Sequence, residues 1–341
     1  MGDPDARTPV HVLTGFLGSG KTTLLKRWLA DPAHADSAVI INELGEIALD
    51  HLLVTEVGEG AVVLRNGCIC CSIRSDLQQT LRDLQARRAA GSIPAFARVV
   101  LETTGLADPM PVVATLAAEP VLRHHFRLGR VAATVDGVNG LSQLADQPEA
   151  VKQAAIADLL VMTKGDLVGD AGLAALRSGL QRINPTAGIL DVRSGDLLAL
   201  LFDDGAAGRA RDVARWLATE DMAQVAPGHE AHDHAIRTLC LRIQGPLDWT
   251  AFGVWLTMLL HRHGERVLRV KALLNVAGSP APVVIHGVQQ IVHAPEHLAA
   301  WPDDDRDSRL VFILRGLEPA LIERSLKAFL GLGGQEDRTA A

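Results

Sequence analysis

The residues best suited to chemistry lie near the start of the chain, where Gly15, Gly20, Lys21 and Thr22 form the pattern G-x-x-x-x-G-K-T. Together with Gly18, the two glycines allow a tight turn whose backbone N–H groups point inward at a polyphosphate. Lys21 supplies a positive charge for the β- and γ-phosphates, and the Thr22 hydroxyl is suited to ligate Mg²⁺. This spacing predicts a phosphate-binding loop.

The surrounding sequence favours this interpretation over an ordinary glycine-rich turn. Residues 10–13 form a short apolar run typical of a strand, and residues 23–29 are typical of a helix whose N-terminus faces the anion. Strand, loop and helix thus follow in the required order. Ser19 and Thr23 complete the predicted set of phosphate-binding residues.

A second polar segment, Glu102-Thr103-Thr104-Gly105, directly follows the predicted buried strand 99–101. A carboxylate at the end of a core strand beside a phosphate loop can hold the Mg²⁺ shell through water. We therefore expect Glu102 to support the metal. Gly105 is expected to offer its backbone N–H to a γ-phosphate.

The segment Thr163-Lys164-Gly165-Asp166 follows another predicted strand, 156–162, and it indicates the base. An Asp in this pattern accepts two hydrogen bonds from guanine, which adenine cannot supply, while the Lys stem packs over the ring. GTP and GDP are the predicted nucleotides, with Thr163 in place of the more usual Asn. The alternative is a turn in which Asp166 caps a helix.

Three cysteines lie within four residues, at Cys68, Cys70 and Cys71. Thiolates are soft ligands that suit Zn²⁺ and similar ions, and a carboxylate such as Glu46 is a candidate additional ligand. Small buried residues and a redox pair are the alternatives.

A second group of metal ligands contains three histidines, and its alternative is a solvated linker. These histidines are His229, His232 and His234.

Composition excludes several classes of protein. The 341 residues carry a net charge of −7 and no Tyr, which argues against nucleic-acid binding through a basic or aromatic surface. The absence of an apolar run of about 18 residues predicts no membrane span, and the polar N-terminus predicts no secretory signal. We expect a cytoplasmic protein whose four cysteines are reduced.

The elements that must position these residues form two predicted domains. Strands alternating with helices predict an α/β P-loop domain over residues 1–205, with a mostly parallel sheet. A linker carrying the histidines is predicted for 206–234, followed by a smaller α+β domain with an antiparallel sheet at 235–333 and a tail at 334–341.

Taken together, the motifs resemble those of the CobW-type GTPases, a family of metal-handling proteins. The phosphate loop, the cysteine motif, the segment that begins at Glu102 and the segment 163–166 occur in order, and the C-terminal half is also similar. The resemblance implies a GTP-dependent metallochaperone that holds Zn²⁺ or Co²⁺ at the cysteines and delivers it to a client protein. Family members often carry Glu where this chain has Ile41, so Glu46 is taken as the substitute ligand.

Two other functions remain open on the sequence. A small-molecule kinase would use the same phosphate loop, but it would have no use for a guanine-reading segment. A metal buffer or sensor would bind metal without regard to nucleotide. The sequence contains no obvious catalytic base, so we expect slow basal GTP hydrolysis; a homodimer is a further possibility.

Overall fold

The structure is a computed structural model that describes residues 7–42, 62–66, 73–217 and 236–331. The chain divides into two compact units, and each has its own sheet. The first unit comprises Met1–Leu180 and Ala187–Gly208, and the second comprises Gln181–Thr186 and Arg209–Ala341.

The first unit is built on a parallel sheet with the strand order β3-β2-β4-β1-β5-β6-β7. Within the described residues its strands are β1 Thr8–Gly15, β2 Ser37–Asn42, β3 Val62–Asn66, β4 Arg98–Glu102, β5 Phe126–Asp136, β6 Leu159–Thr163 and β7 Gly188–Asp191. Every neighbouring pair is parallel. The carboxyl ends of the strands therefore lie along one edge, with β1 between β4 and β5.

Helices connect these strands, as parallel pairing requires. They are α1 Lys21–Leu29, α2 Ile73–Ala89, α3 Met110–Ala118, α4 Pro120–His125, α5 Gly140–Asp146, α6 Pro148–Ile156, α7 Asp170–Ile183 and α8 Leu197–Leu201. The strand predicted for 156–162 begins only at Leu159, because helix α6 runs on to Ile156. The core between sheet and α1 includes Trp28 and Phe202, both buried.

The second unit contains an antiparallel sheet in the order β11-β10-β9-β13-β8, with β12 paired to β10. Its strands are β8 Ile236–Ile243, β9 Val267–Leu274, β10 Val283–Val288, β11 Ile291–Val292, β12 Glu296–His297 and β13 Ser308–Arg315. Its helices are α9 Ala206–Leu217, which belongs to this unit from Arg209 onward, α10 Trp249–His263 and α11 Pro319–Phe329. The predicted combination of a parallel P-loop unit and a smaller antiparallel unit is confirmed. Among the described residues, no helix is long and apolar enough to cross a membrane.

The predicted linker is wrong for residues 206–217, which form helix α9. Its buried residues Val213, Trp216 and Leu217 pack in one cluster with residues of three strands of the second sheet, namely Leu273, Val284 and Val311. The small residues at the start of this segment suggested a linker, whereas the apolar spacing i, i+3, i+4 further on marks the buried face of a helix. The remainder of the predicted linker, 218–234, lies outside the described residues.

The packing of α9 predicts that Trp216→Ala destabilises the second unit. Trp216 is fully buried, so its removal leaves a cavity that costs roughly 3–5 kcal/mol. Urea unfolding followed by circular dichroism measures this loss. Trp249→Ala is the matched control, because that side chain is 40% exposed and its loss is expected to cost less than about 1 kcal/mol. Equal losses in the two variants would contradict the assignment of α9 to the core.

Candidate functional site

The phosphate loop joins β1 to α1, and its glycines occupy backbone conformations that other residues adopt only with strain. Gly15, Gly18 and Gly20 have φ angles of 139°, 70° and 90°. At Gly15 a side chain would also clash with the carbonyl oxygen of Thr134 in β5. The loop is thus seated directly against the neighbouring strand, which explains why glycine is required there.

Lys21 lies at the start of α1, and its ammonium group contacts the backbone of this loop. Its Nζ donates hydrogen bonds to the carbonyl oxygens of Gly15, at 2.9 Å, and Phe16, at 3.3 Å. No acidic residue occupies the first turn of α1, so the partial positive charge of the helix N-terminus is not offset locally. The ammonium and the helix N-terminus together form a site suited to phosphate.

Thr22 and Glu102, predicted from separate motifs, are in direct contact. The Thr22 hydroxyl donates a hydrogen bond of 2.6 Å to Oε1 of Glu102. Register explains the approach: Glu102 ends β4 opposite Leu13 of β1, two residues before the phosphate loop begins. Paired hydroxyl and carboxylate oxygens form a donor set that Mg²⁺ accepts, so these residues fit the predicted metal.

Gly105 lies against the phosphate loop. A Cβ atom at this position would stand 2.6 Å from the backbone nitrogen of Leu17. No side chain fits in this space, and the backbone of residue 105 is therefore held close to the loop that is predicted to bind the phosphates.

Thr163 links the predicted base-reading segment to the phosphate loop. Its hydroxyl donates to the backbone carbonyl of Ser19 at 2.7 Å. The Ser19 hydroxyl in turn lies 2.6 Å from that of Thr134. The residue that stands in place of the usual Asn thus makes a buried contact between the two motifs.

Lys164 is held by Asp136, which the sequence did not single out as a site residue. Lys164 has a φ angle of 53°, and its Nζ lies 2.7 Å from Oδ2 of Asp136, whose side chain is only 2% exposed. Burial acts to raise the pKa of Asp136, but hydrogen bonds from Lys164, Val138 and Asn139 outweigh it and hold the pKa below its usual value. An acidic residue at the end of β5, paired in register with Thr163, was the available signal.

Asp166 is exposed in a short 3₁₀ turn, Gly165–Leu167, where a ligand can reach it. Asp191 and Arg193 pack beside Gly165 and form a double hydrogen bond at 2.9 and 2.7 Å. This ion pair holds the pKa of Asp191 below its usual range. Arg193 was not predicted, because only the fold brings it beside the 163–166 segment.

The remaining predicted site residues are of two kinds. Gly18 and Thr23 are exposed at the loop and the first turn of α1. The candidate ligands of a transition metal lie outside the described residues; they are Glu46, Cys68, Cys70, Cys71, His229, His232 and His234. In the part of the chain that the structure describes, no three His, Cys, Asp or Glu side chains are grouped to hold a metal ion.

Two family models cover most of the chain. The nucleotide-binding domain of the CobW/HypB/UreG proteins matches residues 9–191, and the cobalamin synthesis protein cobW C-terminal domain matches residues 236–330. The chain belongs to the CobW family. The resemblance drawn from the motifs is thus confirmed.

Relatives match this CobW family member along nearly its whole length. The zinc chaperone YjiA of Escherichia coli (strain K12) is 34% identical over 328 residues, covering 95% of this chain and 98% of the relative. A zinc chaperone CobW from Sinorhizobium sp is 26% identical, with the same two coverages. The crystal structure of Zn(II)-bound YjiA GTPase from E. coli aligns with a TM-score of 0.68 and 28% identity, over 95% of this chain and 99% of that one. The predicted enzyme class, a P-loop GTPase, is confirmed.

The contact between Thr163 and Ser19 predicts that Thr163→Val weakens nucleotide binding about tenfold. The substitution keeps the shape of the side chain but leaves a buried carbonyl without its donor, at a cost of about 1–3 kcal/mol. Titration with a fluorescent GDP analogue measures the affinity. Thr163→Ser retains the hydroxyl and is expected to bind like the parent, so weakening by both variants alike would argue against this hydrogen bond.

Proposed function

We propose that this protein is a GTP-hydrolysing metallochaperone that binds Zn²⁺, or Co²⁺, at Cys68, Cys70 and Cys71 and delivers it to a client protein. The observation that carries the nucleotide part is the hydrogen bond that joins the base-reading segment to the phosphate loop, from Thr163 to Ser19. The metal part is supported by full-length similarity to proteins named zinc chaperones and by the predicted cysteine ligands.

The phosphate side of the site is suited to stabilise a transferring phosphoryl group. The Lys21 ammonium and the N–H groups of the loop offer positive charge where negative charge develops. Thr22 and Glu102 would hold Mg²⁺, the first through its hydroxyl and the second in support through water. When bound, this ion neutralises charge on the phosphates.

The base side of the site is suited to guanine. Asp166 is exposed in the turn that follows β6, and Lys164 is anchored beside it by Asp136. A carboxylate accepts the two N–H donors on one edge of guanine, whereas adenine offers a different pattern. The expected preference is therefore for GTP and GDP over adenine nucleotides.

Sheet register supports a connection between metal binding and hydrolysis. Asn66, the last residue of β3, lies opposite Asn42 of β2, and Ile41 lies opposite Glu102. The chain therefore enters the cysteine segment from the same sheet edge that carries the phosphate loop. Nucleotide-dependent release of the metal to a client is the function that we propose, and a homodimer stays a prediction.

Guanine reading by Asp166 predicts that Asp166→Ala lowers the affinity for GDP about 100-fold, through the loss of two charge-assisted hydrogen bonds. Asp166→Asn is expected to favour a xanthine nucleotide, because its amide can donate to the oxygen that replaces the guanine amino group. Competition titrations with GDP, xanthosine diphosphate and ADP measure this change. Unaltered base preference in both variants would return Asp166 to the role of a helix cap.

The proposed coupling between metal binding and GTP hydrolysis predicts that Zn²⁺ changes the rate of hydrolysis. Metal-free protein is assayed with and without one equivalent of Zn²⁺, beside a Cys70→Ala/Cys71→Ala variant and an ATP control. We expect a GTP-selective rate that responds to Zn²⁺ in the parent and not in the variant. Cys240→Ala is the matched control, since Cys240 lies in β8 of the second sheet and should leave the response intact.

Other outcomes of this assay point to the rival functions. A rate that ignores both Zn²⁺ and the cysteines would contradict coupling. Zn²⁺ affinity unaffected by nucleotide and by Lys21→Ala would indicate a metal buffer. Release of ADP that depends on an added acceptor would indicate a kinase.

A further inference from the structure

Gln153 is a polar residue in an apolar setting. It lies on α6 between buried residues of the same helix, and its side chain is 1% exposed. A fully buried carboxamide is stable only where its donors and acceptor meet partners. The partners that this side chain has in the structure are therefore informative about its role.

The side-chain nitrogen of Gln153 donates both of its hydrogen bonds to the segment that follows β4. Nε2 donates to the backbone carbonyl of Gly105 at 3.2 Å and to that of Ala107 at 3.1 Å. Both neighbours are acceptors, so the amide must present its nitrogen and not its oxygen. One side chain thus holds two carbonyl groups of a segment outside the regular strands and helices.

The side-chain oxygen of Gln153 differs from the nitrogen in its hydrogen bonding. Oε1 of Gln153 is buried and has no hydrogen-bond partner among the described residues. An unmet acceptor of this kind costs about 1–3 kcal/mol. An apolar side chain of equal length would avoid that cost, so packing alone does not account for glutamine at this position.

A neighbouring contact ties the same segment to the same helix. Nζ of Lys152 lies 2.7 Å from Oδ2 of Asp108, with both side chains partly exposed. A partly exposed ion pair contributes little, about 0–1 kcal/mol. The buried hydrogen bonds of Gln153 are therefore the stronger of the two attachments.

The segment is confined on its other side by the phosphate loop. A Cβ atom on Gly105 would stand 2.6 Å from the nitrogen and 2.7 Å from the Cα of Leu17. Gly105 consequently contacts the phosphate loop on one side, and its carbonyl accepts a hydrogen bond from the Gln153 amide on the other. Its backbone orientation is set between these two contacts.

We propose that Gln153 is a positioning residue for GTP hydrolysis, which holds the backbone of Gly105 from its carbonyl side so that the N–H of this residue is aimed at the γ-phosphate. This inference rests on the proposed role of Gly105. GDP has no γ-phosphate, so the effect of Gln153 is specific to the triphosphate. The residue acts through the backbone of another and does not itself contact the nucleotide.

The test is Gln153→Met, which keeps the length of the side chain and removes both donors together with the unmet acceptor. We expect affinity for the non-hydrolysable analogue GMPPNP and the kcat for GTP each to fall about tenfold. GDP affinity should stay within twofold, whereas Tm should fall by a few degrees because two carbonyl groups lose their donor. A purely structural role would instead alter GDP and GMPPNP binding together.

Gln143→Met is the matched control. Gln143 and Gln153 both line a small cavity of about 10 Å³ beside Phe16 of the phosphate loop. No side-chain hydrogen bond from Gln143 to the 105–107 segment occurs in the described part of the chain. This variant should behave like the parent. Equal effects of the two substitutions, or no effect of either, would overturn the proposal.

A second variant, Gln153→Glu, gives a readout that a structural role would not move. Its carboxylate faces two carbonyl oxygens at neutral pH, whereas the protonated acid regains one donor. Burial raises the pKa of such a carboxyl group, so the ratio of variant to parent kcat should rise as pH falls from about 7.5 to about 5.5. A flat ratio would count against the proposal.

These outcomes separate this proposal from the proposed function. One outcome would be that the parent hydrolyses GTP and that Gln153→Met has the same ratio of GMPPNP affinity to GDP affinity as the parent. The positioning role of Gln153 would then be wrong, and the proposed GTPase function would stand. If the parent binds GMPPNP and GDP with equal affinity, the γ-phosphate adds nothing to binding, and the role expected of Gly105 is itself wrong.

Discussion

Close backbone packing around the phosphate loop is the constraint on which the rest of the nucleotide site depends. β1 lies between β4 and β5, and the loop that follows it is pressed against both neighbours. Gly15 meets the carbonyl of Thr134 on one side, and Leu17 meets Gly105 on the other. No side chain fits at either glycine, so the backbone amides that are predicted to bind phosphate are positioned by sterics alone.

A series of buried hydroxyl groups extends this constraint across four strands. Thr103 after β4 donates to Thr14 of β1 at 2.9 Å. Ser19 is 2.6 Å from Thr134 of β5, and Thr163 of β6 donates to the Ser19 carbonyl. Hydrogen bonds in a buried, low-dielectric setting rigidify the groups they connect. The segments predicted to bind phosphate and to read the base, which lie about 140 residues apart in the sequence, are thereby held in one rigid frame.

The charged side chains of the site are arranged in a similar way, because each lysine is held by groups whose positions the fold determines. Lys21 is held by loop carbonyls and Lys164 by the buried Asp136. Because hydrogen bonds keep the pKa of Asp136 low, this anchor stays ionised throughout the neutral range. The Thr22–Glu102 contact adds an oxygen pair at the same edge. Positive charge and the oxygens predicted to hold Mg²⁺ thus lie along the same edge of the sheet.

The sequence alone determined the class of each unit and predicted the phosphate loop and the guanine-reading segment, because these depend on residue spacing within a few positions. It also gave the family, which the domain matches confirm. The cysteine and histidine ligands stay predictions, since those residues lie outside the described ones. Only the tertiary structure decided that Asp136 anchors Lys164 and that Gln153 holds the Gly105 segment. In both cases the partners lie at least 28 residues apart in the sequence. Strand register and packing, which no local pattern encodes, bring them together.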